Sequence, residues 1–199
     1  MPTGSSPTKE RLLDEAMRLF GERGYDATSV AEIERSAGLT PGAGGLFHHF
    51  RNKEAVLVAG IERQLSRLEA VRHIRGAIPP LGDPRAELTL VARYVFLELE
   101  EEQELLRVLV SESRQRPELL TGAVDQVVRG TFNEFAALAA RSGVSEVGAA
   151  LALGSLVAFA SAELLLGQAP VDADREDVIA TWVEMVMGLV AASDIEGRV

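Results

Sequence analysis

Residues 25–54, YDATSVAEIERSAGLTPGAGGLFHHFRNKE, decide how this chain is read. They divide into two short helical stretches joined by a glycine-containing turn. Ser29-Val30-Ala31-Glu32 has the spacing of a capping box, in which hydroxyl and carboxylate satisfy each other's exposed backbone N–H groups; Thr28 is the competing cap. Val30, Ile33 and Ala37 form the inner face of that helix, and Gly38 ends it. Thr40 can cap a further helix beginning at Pro41, where the missing N–H of proline costs nothing. Leu46 and Phe50, four apart, would be its buried face. This is the layout of a helix-turn-helix that reads DNA.

The same periodicity extends outward. Thr8 to about Gly24 reads as a helix, with Leu12, Ala16, Leu19 and Phe20 on one face. Another runs from about Asn52 to Arg75, with Val56, Leu57, Ile61, Leu65 and Leu68 as its stripe. The segment from Ile78 through Pro79, Pro80 and Gly82 to Pro84 cannot be helix interior. Beyond it lie five more helical stretches, 85–100, 101–115, 117–141, 146–167 and 174–192. No strand pattern appears, so the chain is all-α with about nine helices.

The net charge of −10 argues at first against nucleic acid. It is unevenly placed: residues 1–75 hold 11 Lys/Arg against 10 Asp/Glu, and residues 76–199 hold 9 against 20. The acidity belongs to the second part, and the first is near neutral. Cysteine is absent and MPTGSSPTKE has no apolar leader core, so residues 1–7 read as a disordered lead and a reducing cytoplasm is expected. The only histidines are His48, His49 and His73. No catalytic triad, phosphate loop or metal-ligand spacing is present, so neither catalysis, cofactor nor metal is expected.

Residues 147–167 carry one charge, Glu163, which raises a membrane span. Frequent Gly, Ala and Ser, the internal charge and the lack of a basic flank favour a packed helix and no membrane. Ala150, Gly154, Ala158 and Ala162 recur every four residues as a ridge that lets another helix approach closely. The last helix carries Ile179, Trp182, Val183 and Val186. Two adjacent helices this apolar predict a four-helix homodimer interface built from the ridge and from Ile179, Val183 and Val186.

Taken together, residues 8–60 resemble the TetR family of transcriptional regulators. The resemblance rests on Leu13-Asp14-Glu15-Ala16 with Leu19-Phe20, Arg23-Gly24-Tyr25, Ala27-Thr28-Ser29-Val30, Ile33, Ala37-Gly38-Leu39, Leu46-Phe47-His48-His49-Phe50 and Lys53-Glu54. It implies a DNA-binding domain over 8–51, a linking helix over 52–78 and a ligand-binding and dimerisation domain over 79–199. It also implies a dimeric repressor of a palindromic operator in double-stranded DNA, released by a small, mostly apolar effector. Two departures stand out. Pro41-Gly42-Ala43-Gly44-Gly45 holds five residues where about three are usual, and Phe47 replaces a tyrosine whose hydroxyl can reach phosphate.

If a helix starts at Pro41, Pro41, Gly44, Gly45 and His48 point to the groove, a face without the Arg, Lys, Asn or Gln that read bases bidentately. Base readout is then expected from Thr40, Ala43, His48 and backbone groups, with DNA shape supplying the rest. Gly42 to Gly45 either approach the DNA or lengthen the turn. Thr28, Ser29, His49, Arg51 and Lys53 are candidate phosphate contacts. The candidate ligand residues are Tyr94, Phe96, Val108, Phe132, Phe159, Glu163 and Trp182, and Glu163 must be paired, exposed or protonated. The alternatives from other classes are a helical protein-binding scaffold without DNA affinity and an all-helical enzyme.

Overall fold

Regular apolar spacing produces helices throughout. In the computed structural model the described residues, 6–77 and 79–196, form α1 (Pro7–Arg23), α2 (Val30–Ser36), a 3₁₀ turn (Leu46–His48), α3 (Lys53–Gly76), α4 (Pro84–Glu101), α5 (Gln103–Glu112), α6 (Pro117–Arg141), α7 (Glu146–Leu166) and α8 (Arg175–Glu196), with no strand among them. Most of the expected lead, the linker residue Ile78 and the last three residues lie outside the described residues; α1 already begins at Pro7. The all-helical expectation holds with one exception: the helix expected from Pro41 is absent. Residues 41–45 form turns, and only Leu46–His48 coil, as 3₁₀. Gly42 (φ 76°) and Gly44 (φ 79°) adopt left-handed backbone, which a right-handed helix cannot contain.

The chain forms two compact units. The first comprises residues up to Arg75 together with Glu104–Gln126; the second comprises Gly76–Gln103 and Val127 onward. The sequence placed 104–126 wholly in the C-terminal domain, whereas α5 and the first part of α6 pack with the N-terminal helices. The core of the first unit includes Leu12, Met17, Phe20, Ile33, Leu46, Leu57, Leu105, Val108 and Leu120, all essentially fully buried. Close packing extends to backbone: a Cβ at Gly60 of α3 would lie 2.6 Å from Met17 Sδ of α1.

In the second unit Asp83 caps α4, accepting from Arg85 N at 2.9 Å, with Pro84 at the first helical position. Its core joins α4, α7, α8 and the remainder of α6 through Ala92, Val95, Phe135, Ala152, Leu156, Ile179, Trp182, Val183 and Val186. The Trp182 indole N–H donates to Ala152 O at 2.7 Å, and its ring lies 5.6 Å from that of Phe135. Ile179, Val183 and Val186 therefore serve the protomer's own core, which corrects their assignment to a dimer interface. The ridge differs: Ala150, Gly154 and Ala158 are exposed and Ala162 is half-buried. Val147 (69%) and Leu151 (70%) beside it are open to solvent, as are Met185 (46%) and Leu189 (36%) on α8. Among the described residues, α7 is the one helix long and apolar enough to cross a membrane.

Candidate DNA-binding site

The scaffold of the site is built as its caps demand. Ser29 Oγ accepts from Glu32 N at 3.2 Å, and Ser29 N donates to Glu32 Oε2 at 2.8 Å, closing the expected capping box. These bonds from Ser29 hold the Glu32 carboxyl below its usual range. The Ser29 hydroxyl lies 2.7 Å from Glu32 Oε2, so this helix start is already served by an anion. Thr28 is buried, with its hydroxyl 2.9 Å from Gly24 O and 3.2 Å from Leu19 O. The Thr28 and Ser29 hydroxyls thus serve the fold, Thr28 buried and Ser29 exposed at the start of α2.

The half-buried Lys53 side chain is likewise bonded within the fold. Its ammonium donates to Tyr25 O at 2.7 Å and Thr28 O at 2.9 Å and sits 4.1 Å from the Tyr25 ring centroid. Burial lowers its pKa, opposed mainly by Asp26. Arg116 lies 4.1 Å from the same ring centroid and pairs with Asp26 at 2.5 Å. Buried Glu112 accepts from Tyr25 N at 2.9 Å, and Phe20 packs 5.2 Å from the ring. Burial also raises the Tyr25 phenol pKa, with Arg116 acting against it. Cations near the ring and a carboxylate on the amide fix the loop between α1 and α2. The sequence pointed to none of Tyr25, Glu112 and Arg116 as site-building residues. Only the long-range partnership of α5 and α6 with this loop reveals them.

The segment Thr40–Arg51 presents the surface. Leu46 and Phe50 are buried, as expected. Thr40, Pro41, Gly42, Ala43, Phe47 (56%), His48 and Arg51 are exposed, while Gly44, Gly45 and His49 are half-buried. No atom lies within 4 Å of a Cβ built on Gly42 or Gly44, but one on Gly45 would meet Leu39 Cδ1 at 3.0 Å. Gly45 therefore turns toward the protein, against its expected outward direction. The His49 ring lies 6.5 Å from that of Phe50, which carries Lys9 Nζ at 5.7 Å from its centroid. The arrangement offers the exposed Arg51, the His48 ring and exposed backbone around Phe47, supported on a buried two-residue anchor.

This geometry has known relatives. Residues 12–59 match the family described as bacterial regulatory proteins, tetR family. Residues 12–59 form a TetR-family domain. The chain is 37% identical over 75 residues to the HTH-type transcriptional repressor Rv1474c of Mycobacterium tuberculosis, a match covering 38% of this chain and 39% of that protein. The chain thus spans about two fifths of that curated relative. Two solved structures share the fold over nearly the whole chain. A tetR-family regulatory protein from Rhodococcus RHA1 has a TM-score of 0.68 at 22% identity, covering 94% of this chain and 98% of that one. AibR in complex with isovaleryl coenzyme A and operator DNA has a TM-score of 0.65 at 20% identity, covering 89% and 97%. At these identities they show the fold alone.

Exposure separates the two basic residues nearest the anchor. Arg51→Ala is expected to lower the salt dependence of DNA affinity by about one unit of log–log slope, as for one lost phosphate contact. Lys53→Ala is expected to leave that slope unchanged and to lower the melting temperature instead. Titrations at several salt concentrations, with thermal unfolding alongside, check both.

Of the candidate ligand residues, Val108 lies in the first unit's core and the others lie in the second unit. Glu163 is exposed, which resolves its lone charge without a ligand. Phe96 and Trp182 are core residues, and Tyr94, Phe132 and Phe159 are half-buried. Hollows among the described residues open here. One, about 300 Å³, is lined by Pro80, Leu88, Leu138, Val186 and Val190, with the Glu87–Arg141 ion pair (2.5 Å) beside them. Another, about 320 Å³, is lined by Ser155, Phe159, Thr181, Trp182 and Met185. Of the expected ligand residues, Phe159 and Trp182 border a hollow of this pair; Tyr94, Phe96 and Phe132 border neither.

Proposed function

We propose that this protein is a cytoplasmic transcriptional regulator that binds a palindromic operator as a homodimer and is released by a small, mostly apolar effector. The observation that carries the DNA-binding reading is the exposed Thr40–Arg51 segment, held on buried Leu46 and Phe50 beside a fully capped α2. Readout rests on Thr40, Ala43 and His48 side chains and on glycine backbone, with Arg51 and His49 on phosphates. The half-buried position of His49 suits a contact at the edge of the footprint.

The exposed ridge Ala150, Gly154 and Ala158, with Leu151, Met185 and Leu189, supports the homodimer. The hollow lined by Thr181 and Met185 borders this face and is assigned to the partner subunit's contact. The effector is assigned to the hollow beside Glu87 and Arg141, whose lining is mainly apolar. AibR, of like fold, holds an acyl coenzyme A, which makes acyl thioesters the first compounds to screen.

Gel-shift with DNA from upstream of the chain's own gene tests the reading. Salt-sensitive, sequence-specific binding is expected, with His48→Ala weakening sequence preference more than nonspecific affinity. Absence of sequence-specific binding at every salt concentration rejects it.

A further inference from the structure

A buried carboxylate underlies the reading segment. Glu34 lies on α2 between Ile33 and the end of the helix, and its side chain is 0% exposed. A carboxylate so placed persists only if its oxygens are bonded. Oε2 accepts from Gly42 N at 2.7 Å and Oε1 from Leu46 N at 2.9 Å, eight and twelve residues onward. Its backbone carbonyl accepts from Leu39 N at 2.8 Å, closing the C-terminal turn of α2.

Had residues 41–48 formed an α-helix, the Leu46 amide would have bonded within that helix. Left-handed Gly42 and Gly44 forbid it. The absence of a side chain at Gly45 keeps the space clear, since a Cβ there would stand 3.7 Å from Glu34 Oε1 and 3.0 Å from Leu39 Cδ1. The glycine-rich turn and the buried acid are therefore complementary parts.

We propose that Glu34 is the positioning residue of the DNA-reading segment: its carboxylate replaces the missing helix by holding the amides of Gly42 and Leu46, and so sets the placement of Thr40–His48. This rests on the DNA-binding reading above. It names a residue that touches no base or phosphate yet determines sequence preference.

Amide hydrogen exchange on the full-length protein and operator titration test it together, with E34A and E34Q. In the wild type the Gly42 and Leu46 amides exchange slowly. In E34A both are expected to exchange about 10- to 100-fold faster, with α1 amides unchanged. The ratio of operator to nonspecific affinity is expected to fall about tenfold or more. E34Q retains one acceptor oxygen, so it should keep one amide protected and give an intermediate ratio, and it stands alone if E34A does not fold. Wild-type exchange at both amides in E34Q, or a wild-type affinity ratio in a folded variant, overturns the proposal. If the wild type binds no operator while Glu34 still protects both amides, the DNA reading fails and the pinning role does not.

Discussion

A Leu151→Glu, Met185→Glu double variant is expected to be a folded monomer that binds operator about 10²- to 10⁴-fold more weakly, because two recognition units joined in one particle gain that much from effective concentration. Both side chains are exposed on the protomer, at 70% and 46%, so charging them leaves its own core intact. Only 28% of the apolar stretch of α7 is buried, leaving an apolar face large enough to pack against another surface. A Cβ at Gly154 or Gly188 meets nothing within 4 Å, which leaves room for close approach of a partner helix. Sedimentation and gel-shift at matched salt read the outcome, and circular dichroism checks the fold. A variant that stays dimeric and binds normally removes α7 and α8 from the interface.

Tyr25→Ala carries the second large effect, about 3–5 kcal/mol of lost stability, the usual scale for deleting a buried aromatic. The ring is 9% exposed and packs against Phe20. Its loss also removes the surface beside which Lys53 and Arg116 rest, each 4.1 Å from the centroid. Tyr25→Leu separates these contributions: it keeps apolar bulk and loses the ring's attraction for cations, so a smaller cost of about 1–2 kcal/mol is expected. Chemical denaturation of the pair measures both. A Leu cost near zero beside the full Ala cost would show that the cations draw nothing from the ring.

The sequence was most legible where a local rule had one outcome. Ser29 and Glu32 at capping spacing, glycine after α1 and α2, and Leu46 with Phe50 all appear as read. It was least legible where two structures satisfy one pattern. Pro41 after Thr40 and the four-residue spacing of Leu46 and Phe50 suit an α-helix, but a turn followed by a 3₁₀ coil places the same two side chains inward. Glu34 carried no local signal, since a charged residue on an amphipathic helix is ordinarily solvated. α8 is apolar on more than one face, so periodicity alone could not say that Ile179, Val183 and Val186 face home while Met185 and Leu189 face outward. Val108 and the 104–126 stretch joined the first unit through contacts distant in sequence, which no local window contains.

The bond from Trp182 to Ala152 has an optical consequence. The chain holds one tryptophan and two tyrosines, so indole emission originates entirely from this buried ring in the second unit. Excitation at the red edge of the absorption band therefore reports the α7–α8 packing without any labelling. Unfolding followed at this wavelength is a transition of the second unit, and comparison with a helix-wide signal reveals whether the two units melt together.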